Sequence, residues 1–128
     1  MDIVTKKKLN VLIQLAEADK HFAKSEREMI FRIADERKFP AEDVNALIRN
    51  PEPIGTLGAL SPDQKFEYLL ACIELMFADH QVFESELIFC KNIAIKLGFK
   101  KSVVDYLVAS FDTVPKDQLK KRVSTDFA

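Results

Sequence analysis

Shifted by 60 residues, the sequence matches itself. The identical pairs are Leu9/Leu69, Ile13/Ile73, Leu15/Leu75, Ala18/Ala78, Asp19/Asp79, Ser25/Ser85, Glu26/Glu86, Ile33/Ile93, Ala34/Ala94, Phe39/Phe99, Val44/Val104 and Leu47/Leu107. These are 12 of the 40 positions from Leu9 to Ile48, matched without a gap. Average residue usage gives about 2–3 by chance. Helical periodicity inflates the apolar matches, so the polar identities at Asp19/Asp79, Ser25/Ser85 and Glu26/Glu86 weigh more. Two copies are too few for a solenoid. They predict two helical halves packed around one core and related by an approximate two-fold.

Each copy has the apolar spacing of three helices. In the second, Phe66, Leu69, Leu70, Ile73, Met76 and Phe77 form a stripe that opens on Ser61 as cap, Pro62 at the first helical position and Gln64 closing a capping box. A second stripe, Leu87, Cys90, Ile93, Ala94 and Leu97, is stopped by Gly98, and a third runs through Val103, Val104, Leu107, Val108 and Phe111. In the first copy the stripes are Leu9, Leu12, Ile13 and Ala16, then Met29, Ile30 and Ile33 ending near Phe39-Pro40, then Val44, Leu47 and Ile48. Copies at about 9–48 and 69–108 are joined by a linker at about 50–60 that holds Pro51, Pro53, Gly55 and Gly58. The tail, 112–128, carries a last helix from about Lys116 to Val123. Nothing alternates like a half-buried strand for long. The expected fold is all-α, a compact bundle of about seven helices forming one domain over 1–128. Glycine and proline together number only eight, which agrees with few turns. A chain of 128 residues, 48% hydrophobic, buries enough surface to need no disulfide or metal in order to fold.

The charges narrow the function classes. Net charge is −1, and the basic clusters, Lys6-Lys7-Lys8 and Lys116 with Lys120-Lys121-Arg122, sit near the chain ends, where solvated charge is common. Nucleic-acid binding is not expected, because it calls for a basic excess or stripe. No apolar run reaches the about 18 residues of a membrane span, and no targeting segment is visible. Cys72 and Cys90 have no CxxC spacing and fall on apolar faces, so they read as buried free thiols in a reducing cytoplasm.

The matched polar residues sit at helix junctions. Asp19 closes the first helix of copy one and Glu26 opens the second, seven residues later; Asp79 and Glu86 repeat the spacing. Phe22 and Val82, three after each aspartate, are expected to plug their loops into the core. Two readings of the carboxylates stand side by side. In the first they are structural: a glutamate at a helix N-terminus is favoured by the macrodipole and bonds orphan amides, and an aspartate can hold a short loop. In the second, the two-fold brings the loops together, and Asp19, Glu26, Asp79 and Glu86 supply oxygens to a hard divalent cation. The EF-hand pattern is not met. His21 and His80 lie within two residues of the aspartates and are candidate additional ligands, although their offset is 59 and a solvated loop histidine is the default.

The segments Ala18-Asp19-Lys20-His21-Phe22-Ala23-Lys24-Ser25-Glu26 and Ala78-Asp79-His80-Gln81-Val82-Phe83-Glu84-Ser85-Glu86 resemble the TerB-like (tellurite-resistance) family. Its members carry Ala-Asp-Gly, an apolar residue, and a glutamate seven after the aspartate, twice in one helical domain. The resemblance spans roughly Leu9 to Phe111. It implies a domain of about seven helices whose acidic positions, here Asp19, Glu26, Asp79 and Glu86, are proposed to bind divalent metal in stress-associated systems. Lys20 and His80 depart from the pattern by standing where the family has glycine. Ala23 and Phe83 stand at the usual cap position and cannot cap, which leaves Ser25 and Ser85 as caps that would start each helix two residues later. The J-domain that accompanies some family members, with its His-Pro-Asp signature, is not in the sequence.

Three functions follow as expectations. One is a non-enzymatic, metal-binding or stress-associated module with no organic cofactor. Another is a protein-interaction module offering an apolar groove between its halves, to which Phe31, Phe83 and Phe89, off the main stripes, would contribute. The least favoured is an enzyme: there is no paired nucleophile motif, phosphate-cradling loop or dinucleotide fingerprint. Metal identity, partner and oligomeric state are not written in the residues.

Overall fold

The 60-residue offset reappears in the helix boundaries. The computed structural model describes residues 3–18, 22, 24–55, 57–78 and 82–128. Among these there are seven helices and no strand: α1 (Ile3–Ala16), α2 (Lys24–Glu36), α3 (Ala41–Arg49), α4 (Pro62–Met76), α5 (Glu84–Lys96), α6 (Val103–Ser110) and α7 (Lys116–Asp126). The chain is all-α, as its periodicity predicts. Both ends of α2 and α5 differ by 60.

The helix contacts share the symmetry. α1 and α4 pack on each other; α1 packs on α2, α3 and α5, and α4 packs correspondingly on α5, α6 and α2. The remaining pair within each half, α2 with α3 and α5 with α6, also correspond. A helix surrounded on most sides must be apolar on most sides. In agreement, α1 buries nine of 14 residues and α4 nine of 15. Most of the apolar identities end in one core: Leu9, Leu69, Ile13, Ile73, Leu15, Leu75, Val44, Val104 and Leu107 are all fully buried.

The ends of α2 and α5 show what a repeated residue is for. Lys38 and Gly98 both take positive φ, +57° and +91°. The following amides, Phe39 and Phe99, donate back to Ala34 and Ala94 at 2.8 and 2.9 Å, while Lys38 and Gly98 donate to Asp35 and Ile95 at 3.0 Å. This is a Schellman stop, and its apolar pair is the repeated alanine and phenylalanine. Only the left-handed residue differs between copies. Lysine pays a Cβ penalty there that glycine does not. Lys38→Gly should therefore stabilise the fold, by up to about 1 kcal/mol, and Gly98→Ala should cost about 1 kcal/mol. No atom within 4 Å would meet the new Cβ at Gly98, so that cost is backbone strain alone. Urea midpoints of the two variants check the opposite signs.

The segment between the copies is anchored. Asn10, buried on α1, donates from its amide to the Glu52 carbonyl (2.9 Å) and accepts the Glu52 amide (3.0 Å). Leu57 and Leu60 are buried. As predicted, Ser61 and Gln64 form a reciprocal capping box at α4, with Pro62 at its first position.

α7 has no counterpart and reaches three residues past the predicted Val123. It lays Leu119 and Val123 on α4 and α6. Lys116 pairs with Glu67 at 2.8 Å and Lys120 with Asp63 at 2.5 Å. These lysines of the tail thus pair with carboxylates of α4 while staying in contact with solvent. Lys8 departs from the expected solvation: it is 9% exposed, because α4 covers the face of α1 that carries it. No helix among the described residues is long and apolar enough to cross a membrane.

Candidate functional site

The junctions open where α1 and α4 end and close where α2 and α5 begin. Asp19, His21, Asp79 and His80 lie outside the described residues, as do Lys20 and Ala23. The two glutamates are described. Glu26 and Glu86 are each the third residue of their helix and each 2% exposed. Buried carboxylates at that position sit where the macrodipole and unpaired amides favour negative charge. Glu86 accepts the Phe83 amide at 3.2 Å, which is the glutamate's half of a capping box. Phenylalanine, at the cap position, has no oxygen to supply the other half.

That arrangement corrects the expected helix starts. Ser25 and Ser85 are second residues inside α2 and α5, not caps. In α5 the Glu86 carboxylate reaches back to the cap residue's own amide and satisfies a donor there, so that helix starts without a capping hydroxyl. The loop plugs also differ between copies. Phe22 packs on the core, with the Arg27 guanidinium 5.8 Å from its ring centre. Val82 is 36% exposed. The branched side chain is shorter than the phenylalanine ring at the matching position of copy one.

A cleft of about 530 Å³ lies between the halves, beside both junctions. Ser25, Glu28, Met29 and Arg32 of α2 form one wall, and Glu74 of α4 with Phe77, Ala78, Phe111 and Asp112 form the other. Ser25 adjoins Glu26, and Ala78 immediately precedes Asp79, so the start of α2 and the end of α4 meet at one surface. Phe77 and Phe111 stack there at 4.8 Å. Glu74 and Asp112 are additions that only the packing of distant segments discloses. Among the described residues no three His, Cys, Asp or Glu side chains are placed to hold a metal ion.

Neither thiol lines that cleft. Cys72 and Cys90 are free and buried, as expected. A hydrogen bond with Cys72 pushes the Cys90 thiol well above its usual range, and burial and the Cys72 and Glu86 charges add to it. A thiol held protonated is neither a ready nucleophile nor a ready ligand.

Exposed apolar side chains gather elsewhere. Ile88 and Ile95 on α5 are 53% and 56% exposed. The matching positions on α2 are Glu28 and Asp35. Phe31, Phe83 and Phe89 are each half-buried. Comparison with known proteins finds no matching family model, no matching curated protein and no matching solved structure.

Proposed function

We propose that this chain is a non-enzymatic, TerB-like helical module that takes a divalent cation at its paired helix junctions, in a stress-associated role. The observation that carries the reading is the burial of Glu26 and Glu86 at equivalent positions in the two halves. A carboxylate withdrawn from water needs compensation, and a repeated one needs it twice. Helix termini supply compensation of this kind. A hard cation ligated also by Asp19 and Asp79 would draw on the same matched carboxylates, since calcium and magnesium require several oxygen donors. His21 and His80 would tilt the preference toward zinc or manganese.

Thermal unfolding of chelator-stripped protein against calcium, magnesium, manganese and zinc tests this. At about 100 times its dissociation constant, the bound metal stabilises by about 2.7 kcal/mol, which raises the midpoint by several degrees. The rise should vanish in Asp19→Asn/Asp79→Asn. A midpoint that no metal moves would leave the carboxylates a structural role only.

A second reading is favoured by Ile88 and Ile95. They give α5 an outward apolar strip where α2 is acidic. This suits a protein-interaction module, with the strip on the outer face of α5 in place of a groove between halves.

A further inference from the structure

A second cavity, of about 200 Å³, lies away from both junctions. Val4, Thr5 and Lys8 of α1 form one side, the first turns of α4 form another, and Arg37, just past α2, closes it. Its electrostatics are unusual beside so buried a lysine as Lys8. Lys8 is 9% exposed, and among the described residues no carboxylate comes within ion-pair distance of Lys8 or Arg37. The two carboxylates in the wall, Asp63 and Glu67, are engaged by Lys120 and Lys116 of α7. Gln64, also in the wall, turns its oxygen to the Ser61 amide, which leaves its NH2 group to donate.

Burial disfavours the Lys8 ammonium, and the Arg37 charge adds to that, against smaller opposing contributions from Glu67 and Glu74. A surface lysine relieves such a cost by laying its stem on apolar surface and its head in water. Lys8 instead shares a cavity with a second cation. An anion placed there would relieve burial and repulsion together, and a guanidinium supplies paired donors suited to two oxygens.

We propose that this cavity binds a small oxyanionic group, a phosphate or a carboxylate, between Lys8 and Arg37. The site is independent of the junction carboxylates and of any cation there. It is tested on the full chain in the presence of a chelator, at constant ionic strength set with sodium chloride. Inorganic phosphate and acetate are titrated separately, with thermal unfolding and calorimetry as readouts.

At least one of the two should raise the unfolding midpoint by several degrees where chloride does not. A rise with phosphate alone assigns a phosphate ligand, a rise with acetate alone a carboxylate, and a rise with both the group they share. Arg37 is exposed, so Arg37→Gln should fold normally and weaken binding at least tenfold. Lys8→Gln should do the same, while the remote, exposed Lys101→Gln should bind as the parent does. The proposal is overturned if neither anion acts differently from chloride. It is equally overturned if Arg37→Gln and Lys8→Gln bind as tightly as the parent, or if Lys101→Gln weakens binding as much as they do.

Discussion

Ile13→Ala and Ile73→Ala should each lower the unfolding free energy by about 2–5 kcal/mol, as truncations of buried aliphatic side chains do. Both isoleucines are fully buried, at equivalent positions on the two central helices. Each substitution removes a transfer contribution and leaves a cavity that neighbours fill only partly. Around α1 and α4 relaxation is constrained, because each packs against at least four other helices. Against a total stability of about 5–15 kcal/mol, one truncation removes a large share, and the pair together should leave little folded protein at room temperature. Urea unfolding followed by circular dichroism gives the numbers. A cost under about 1 kcal/mol at either position would mean that the α1–α4 contact is not the centre of the fold. Glu28→Ala, on the exposed face of α2, is the control and should fall within about 0.5 kcal/mol of the parent.

Why those two positions are recognisable beforehand is a matter of periodicity. Apolar spacing locates a helix and its buried stripe, and repetition at a fixed offset says that two stripes meet equivalent surroundings. Ile13, Ile73 and the matched Ala34/Ala94 and Phe39/Phe99 are legible in that way. Ser61 and Gln64 are legible because a capping box is local chemistry, complete within four residues.

Lys8 is the counterexample. In the sequence it belongs to a terminal run of lysines; in the fold it faces α4 and a cavity. Its burial depends on a helix more than 50 residues away. The cleft beside the junctions, with Phe77 stacked on Phe111, likewise needs the α4 terminus and the α6 terminus to be neighbours. Val82 and the serines fail for a different reason. The repeat predicts equivalent roles, but neighbouring residues decide which side chain fills the loop, and at α5 a glutamate that reaches back to the Phe83 amide makes a serine cap unnecessary. Of the candidate site, Glu26 and Glu86 are placed as matched buried carboxylates, whereas Asp19, Asp79, His21 and His80 fall outside the described residues.

Glu86→Ala should cost about 1–3 kcal/mol, because it strips the Phe83 amide of its acceptor. It also removes a negative charge from the first turn of α5, an effect of about 0.3–1 kcal/mol. Glu86→Gln separates the two contributions. The amide oxygen can still accept from Phe83, so that bond is kept while the charge is lost, and the cost should be the smaller. Hydrogen exchange at the Phe83 amide provides a local readout: protection should fall in Glu86→Ala and persist in Glu86→Gln. Equal costs for the two variants, with protection retained in both, would show that the Phe83 amide does not depend on this carboxylate. The same pair of variants bears on the cation. A charge held only by the helix terminus gives a glutamine variant whose deficit is unchanged by chelator. If a divalent ion shares Glu86, the deficit is large with metal present and shrinks once metal is removed, because the parent then loses what the variant never had. The chelator dependence of one conservative substitution thus separates a capping glutamate from a ligand.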